Sequence, residues 1–146
     1  MRTAIVSGAN RGVGGGIAKQ LVLLGYRVIL TSRDELKGKQ TLDELKREIG
    51  SPMPGEFIYH RLDVTDFESI QSLRDFVASA YEAVDVLVNN AAVLLDQNGR
   101  VLQTSVDIYR TTIETNVYGP LMLCQMFIPM MLKRNYGRVV NVSSGA

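Results

Sequence analysis

Cysteine and histidine are almost missing from this sequence, and neither sign of charge is in excess. Cys124 is the only cysteine, so no intrachain disulfide can form, which fits a reducing compartment. His60 is the only histidine. One histidine inside an apolar strand makes no metal site, so no metal is expected and a hydrogen-bonded packing role is. Lys and Arg number 16 against 15 Asp and Glu, a formal net charge of +1. That balance argues against nucleic acid or an anionic membrane as partner. Long apolar runs are missing too. The longest, Val117 to Leu132, is interrupted by Gly119, Pro120, Gln125 and Pro129 and is too short to span a bilayer. No basic, apolar leader precedes the alternating segment that starts at Thr3. The expectation is a soluble, cytoplasmic protein.

What is present suits one globular domain over residues 1–146. With 46% hydrophobic and 21% charged residues the chain can bury a core, which excludes a disordered polar chain. Short β-branched runs alternate with helical periodicity. Ala4-Ile5-Val6 is a first strand, and Val13, Ile17, Leu21 and Leu24 then recur at helical spacing until Gly25. Arg27 to Thr31 is a second strand, followed by a charged helix with Leu42, Leu45 and Ile49 on one face, closed by Gly50. A turn from Ser51 to Gly55 leads to a third strand, Phe57 to Leu62. Thr65-Asp66-Phe67-Glu68 reads as a capping box for a helix carrying Ile70, Leu73 and Val77. Asp85 to Asn89 is a fourth strand. A loop runs to about Ser105, then helical pattern from Asp107 to about Arg134, with a break or bend expected near Gly119-Pro120. Arg138 to Val142 is a fifth strand.

Continuously apolar strands separated by amphipathic helices imply a parallel sheet covered on both faces. The expected fold class is α/β, a Rossmann-type doubly wound sheet of order 3-2-1-4-5. Between the first strand and first helix stands Ser7-Gly8-Ala9-Asn10-Arg11-Gly12-Val13-Gly14. Glycines there permit a tight turn, close approach of backbone to a pyrophosphate, and close helix–sheet packing; the helix N-terminus offers free N–H groups to the anion. A purely structural glycine turn is the bland alternative. Gly15 and Gly16 extend the run into the helix, where each costs up to about 1 kcal/mol relative to alanine.

The spacing Gly-x-x-x-Gly-x-Gly resembles the loop of the short-chain dehydrogenase/reductase family, with Ser7 where threonine is usual. Asp63-Val64 resembles that family's adenine-contacting pair, and Asn89-Asn90-Ala91-Ala92 its Asn-Asn-Ala-Gly motif, with Ala92 in place of the last glycine. Asn116 matches the asparagine of the family's catalytic tetrad. Asn141-Val142-Ser143-Ser144 matches the segment ending in its catalytic serine, placed at Ser144. The resemblance is closest to carbonyl-reductase-like members. It implies cofactor contacts from Ser7, Gly8, Asn10, Arg11, Gly12, Val13, Gly14, Arg33, Asp63, Val64, Asn90, Ala91 and Ala92.

At the end of the second strand, Ser32 stands where NAD-preferring relatives usually carry aspartate, and Arg33 follows. An acidic residue there would bind the ribose 2′-hydroxyl and repel a 2′-phosphate. Arg33 with Arg11 therefore implies NADP as cofactor, a guanidinium being well suited to phosphate. Solvated surface charges at Arg33 and Lys37 are the alternative. Asp34 either caps the second helix or offsets the charge of Arg33.

The resemblance implies reduction of a ketone or aldehyde by NADPH, with Ser144 orienting the carbonyl. Asn116 would keep a helix distorted and hold a water in the proton relay. The acid would be a tyrosine with a lysine four residues later, lowering the phenol's pKa. Residues four after Tyr26, Tyr59, Tyr81, Tyr109, Tyr118 and Tyr136 are Leu30, Asp63, Asp85, Ile113, Met122 and Val140. The expectation is an amino-terminal part, truncated after the fifth strand and inactive alone. Two other readings stay open: a noncatalytic NADP-binding or interaction module, and an inert fragment. Cys124 and Met122, Met126, Met130 and Met131 are expected to pack rather than bind. The long helix that carries them helps form subunit interfaces in many relatives, so a homo-oligomer is one expected outcome.

Overall fold

The central strands are apolar on both faces, so neither face of the sheet's middle can be left to water. The computed structural model, which describes residues 1–96 and 99–144, satisfies this with a five-stranded parallel sheet sandwiched between helices. In chain order the elements are β1 (Thr3–Val6), α1 (Gly12–Leu23), β2 (Arg27–Ser32), α2 (Glu35–Ile49), β3 (Glu56–Arg61), α3 (Phe67–Ala80) and β4 (Val86–Asn89). Then come α4 (Val106–Ile113), a π-helical turn (Glu114–Tyr118), α5 (Gly119–Leu132) and β5 (Arg138–Asn141). The sheet order is β3-β2-β1-β4-β5, as the alternating pattern predicts. Within the loop that follows β4, positions 97 and 98 lie outside the described residues.

Strand alternation sorts the core into two layers. Ala4, Val6, Val28, Leu30, Val86 and Val88 face α1 and α2, which contribute Ala18, Val22, Leu42 and Leu45. Ile5, Ile29 and Leu87 face the other way, onto Ile70, Leu73 and Val77 of α3 and Leu123, Phe127 and Met131 of α5. Cys124 and Met122, Met126 and Met130 pack at the margin of this second layer. His60 hydrogen-bonds the Arg61 carbonyl through Nδ1 at 2.7 Å and lies 5.0 Å from the Phe76 ring, a packing role. β5 is bonded to β4 along one edge, and every residue in it is exposed.

Three expectations need correction. In α1 the residues expected to form the apolar face do not all do so. Val13 and Leu24 are exposed, while Gly14, Gly15, Ala18 and Val22 are buried. The first turn of the helix lies close against the glycine loop and Asn90, where a Cβ on Gly14 would clash, which a search for large apolar side chains does not register. The cap of α3 is Asp66, whose carboxylate accepts from Glu68 N, and not Thr65. The long helix does not break at Gly119-Pro120: its irregularity is the π turn just before it. Gly119 is instead a packing residue, because a Cβ there would stand 2.8 Å from Val64 Cγ2.

Candidate functional site

The carboxyl ends of β1, β2, β3 and β4 open onto one cleft of roughly 800 Å³. Gly8, Asn10, Arg11, Gly12 and Val13 form one wall, Arg33, Asp34 and Lys37 a second, Asp63 and Val64 a third, and Asn90, Ala91 and Ala92 the fourth. Residues scattered over most of the sequence thus meet where open parallel sheets bind ligands. Another recess, of roughly 570 Å³, opens at the opposite end of the sheet and holds none of the candidate residues.

The glycine loop is built for close approach. Gly8 has φ +63° and Gly12 φ +55°, in the left-handed region that side chains disfavour. A Cβ on Gly8 would stand 2.7 Å from Ala91 Cα. One on Gly14 would strike Asn90 Nδ2 and lie 2.9 Å from the Gly8 carbonyl oxygen, so Gly14 is buried beneath the cleft rather than in it. Gly16 meets nothing within 4 Å, and nothing in its surroundings explains why it is glycine.

Side chains from distant elements hold this loop. Asn90 Nδ2 donates to the Ser7 and Gly8 carbonyls, both at 3.1 Å. The Ser7 hydroxyl donates to the Val88 carbonyl at 3.3 Å and accepts from Asn90 N and Ala91 N, each at 3.0 Å. Ser7 therefore lies behind the loop, fully engaged, and supports the cleft instead of lining it. Thr41 of α2 donates its hydroxyl to the Asn10 carbonyl at 2.9 Å. The sequence offered no signal for that contact.

The start of α1 differs from the other helix starts that follow loops. Asp34, Asp66 and Ser105 cap α2, α3 and α4 with their side chains, whereas Arg11 gives α1 no such cap. The first turn of α1 carries no acid either. Its leading N–H groups and the positive end of its dipole are left for an anion.

Arg33 and Lys37 are exposed on the second wall. Asp34 resolves as the cap of α2, accepting from Lys37 N at 3.0 Å, and its carboxylate lies 3.9 Å from Lys37 Nζ. Asp63 is tied to its own turn. Its Oδ1 accepts from Thr65 N at 2.9 Å and from Thr65 Oγ1 at 2.7 Å, which draws the Thr65 hydroxyl away from the start of α3. Burial pushes the Asp63 carboxyl upward, but the Thr65 hydrogen bonds and the charges of Arg33 and Arg61 outweigh it and hold the group below the ordinary aspartate range. Asp63 is ionised throughout the neutral range.

Asn116 sits in the π turn and clamps the β4–α4 loop with both ends of its amide. Oδ1 accepts from Val93 N and Nδ2 donates to the Val93 carbonyl, each at 2.8 Å. The side chain thereby ties the π turn to the loop that follows Ala91 and Ala92. Ala92, standing where the family motif has glycine, does not need glycine's backbone freedom: among the described residues only Asn135 has positive φ outside glycine. Thr115, next to Asn116, is buried and lines the cleft together with Leu62 and Val93. These three were missed, since nothing in the local pattern separates them from core residues. Ser144 follows β5, exposed, beyond the Asn89–Asn141 pair whose side chains bond at 2.8 Å across β4 and β5. Among the described residues no group of three or more His, Cys, Asp or Glu could hold a metal, and no helix is long and apolar enough to cross a membrane.

A doubly wound parallel sheet with a glycine cradle at its carboxyl edge defines a dinucleotide-fold protein. A family model described as short chain dehydrogenase matches residues 2–146, and the chain belongs to that family. It is 40% identical over 147 residues to carbonyl reductase (NADPH) 1 of Oryctolagus cuniculus, covering 98% of this chain and 49% of that protein. It is 36% identical over 159 residues to (+)-neomenthol dehydrogenase of Arabidopsis thaliana, covering 98% and 53%. Among solved structures, a metagenomic short-chain oxidoreductase in complex with NADP superposes with TM-score 0.88 at 33% identity, covering 99% of this chain and 63% of that one. Menthone neomenthol reductase from Mentha piperita gives TM-score 0.89 at 31% identity, covering 99% and 60%. The carbonyl-reductase-like resemblance read from the motifs is thereby borne out. The chain spans about half the length of the curated relatives it matches.

Proposed function

We propose that this chain forms the NADP-binding part of an NADPH-dependent reductase acting on a ketone or aldehyde carbonyl. The observation that carries the reading is the uncapped start of α1 sharing one cleft with Arg11, Arg33 and Lys37, while Asp34 is turned into the cap of α2. The pyrophosphate would lie on the uncapped N–H groups at the start of α1, and the 2′-phosphate against Arg33 and Arg11. Asp63 and Val64 would border the adenine, and Asn90, Ala91 and Ala92 the nicotinamide side. Bound NADPH would supply a hydride. This chain's residues would hold it in place, with Asn116 ordering the β4–α4 loop and the Ser144 hydroxyl donating to the carbonyl oxygen. The cited relatives, named for carbonyl and menthol-type redox chemistry, support a small carbonyl substrate.

A fluorescence titration with NADPH and NADH tests the site. A charge-assisted hydrogen bond contributes about 1.5–3 kcal/mol, so Arg33→Ala should weaken NADPH about 10- to 100-fold. NADH should change by less than about twofold on the same grounds. Unchanged NADPH affinity in Arg33→Ala removes the phosphate assignment.

A second reading, a nucleotide-binding module without chemistry of its own, is favoured by one observation. No tyrosine in residues 1–146 is followed by lysine four positions on. Proton donation to the developing alkoxide would need that pair or a substitute. The 146-residue chain mixed with NADPH and a dicarbonyl should therefore show no loss of nicotinamide absorbance above the blank. Sustained turnover would refute the assignment of proton donation to a missing pair.

A further inference from the structure

Arg33, an exposed cation of the second wall, leaves the β2–α2 turn, and that turn is held from behind by β3. We infer that Tyr59 and Arg61 of β3 are positioning residues that set the preference for a 2′-phosphate by fixing the main chain from Ser32 to Asp34. This rests on the NADP reading above and deepens it.

β2 and β3 pair in parallel, with Leu30 beside Tyr59 and Ser32 beside Arg61. The Tyr59 hydroxyl lies 3.1 Å from Ser32 Oγ, 3.3 Å from the Ser32 carbonyl and 3.4 Å from the Asp34 carbonyl. Ser32 Oγ in turn donates to the Asp34 carbonyl at 2.8 Å. With its own hydrogen so directed, Ser32 Oγ is left to accept, and Tyr59 is the donor that reaches it. A two-step chain thus runs from β3 to the main chain beyond Arg33. Arg61 Nε holds the residue between, donating to the Arg33 carbonyl at 3.1 Å. The carbonyls of Arg33 and Asp34 are both tied, so the direction in which the Arg33 side chain leaves the turn is set before any ligand arrives.

Gly38 shows how closely the parts approach. A Cβ there would strike Tyr59 Cε2 and Ser32 Oγ and stand 2.7 Å from Tyr59 Cζ. The tyrosine reaches Ser32 only because α2 presents no side chain at that point. Burial raises the Tyr59 phenol above its ordinary range, and the charges of Glu35 and Asp34 add to this. The phenol stays a donor at neutral pH.

Ordering a loose turn on binding costs affinity, and a turn already ordered avoids that cost. Only a ligand that uses Arg33 benefits. NADPH would gain from the clamp and NADH, with a hydroxyl in place of the phosphate, would not. A residue needed merely for stability would weaken both alike.

The test is titration of the 146-residue chain with NADPH and NADH, and competition by adenosine 2′-phosphate and adenosine 5′-phosphate, with thermal unfolding as a check on folding. One lost hydrogen bond predicts a three- to tenfold fall, roughly, in the NADPH-to-NADH affinity ratio for Tyr59→Phe and for Arg61→Met. Gly38→Ala, which displaces the ring while leaving the hydroxyl present, should lower the same ratio, and adenosine 2′-phosphate should weaken where adenosine 5′-phosphate does not. If Arg33→Ala abolishes the preference while Tyr59→Phe and Arg61→Met leave it intact, the clamp is wrong and the NADP reading stands. Parallel loss of both nucleotides also overturns the clamp. If the unaltered chain does not prefer NADPH, the NADP reading fails and the clamp fails with it.

Discussion

Gly8→Val is expected to destabilise the chain by about 2–5 kcal/mol and to abolish NADPH binding, and two separate costs add to give that figure. The left-handed conformation at φ +63° costs an ordinary L-residue roughly 1–2 kcal/mol. The new Cβ would also stand 2.7 Å from Ala91 Cα and 3.1 Å from Ala91 N, and forcing atoms into a packed site typically costs 1–3 kcal/mol. Backbone cannot step aside as a flexible side chain can. Ala91 is further fixed through its N–H to Ser7 Oγ, so relief at Gly8 must disturb the β4 end of the cleft as well. Gly12→Ala is the control. It has φ +55° but nothing within 4 Å of its would-be Cβ, so only the conformational cost of about 1–2 kcal/mol applies. Urea unfolding of both variants separates the two costs. A Gly8→Val chain as stable as the Gly12→Ala chain would show that the close approach to Ala91 carries no weight.

The second large effect is in the core. Phe127→Ala should destabilise the protein by about 3–5 kcal/mol, the range for a large aromatic removed from a packed interior. Phe127 has 0% relative exposure and lies between Leu123 and Met131 on the inner face of α5. The surrounding side chains come from both α3 and the sheet, so the void cannot close by shifting one element. For a chain of this size such a loss lowers the unfolding midpoint by roughly 10 °C or more. Leu121→Ala, on the exposed side of the same helix, should stay within about 0.5 kcal/mol. Equal effects of the two substitutions would mean that the inner face of α5 is not packed as described.

The elements were legible in the sequence because each depends on a few neighbouring residues. β-branched runs marked all five strands to within a residue at each end. Gly25 and Gly50, at φ +85° and +77°, ended α1 and α2 where the pattern placed them. The errors share a cause. Thr65 fits a cap of α3 because it stands three residues before Glu68, but its hydroxyl is drawn to Asp63, and Asp66 takes the position instead. Val13 fits the apolar spacing of α1, yet it is exposed and Gly14, Gly15, Ala18 and Val22 are the buried residues. In each case two local patterns were compatible with the sequence, and packing chose between them.

By itself the sequence determined the order of strands and helices, the glycine loop at the first crossing, and the cations that follow the second strand. These are properties of short segments, where periodicity and backbone freedom act directly. Tertiary structure alone decided what holds those parts in register. Asn90 grips Gly8 across 82 positions, Thr41 reaches Asn10 across 31, and Tyr59 reaches Ser32 across 27. No local rule selects such partners, because a hydrogen bond between distant residues exists only once burial of the two apolar layers has brought their strands and helices together.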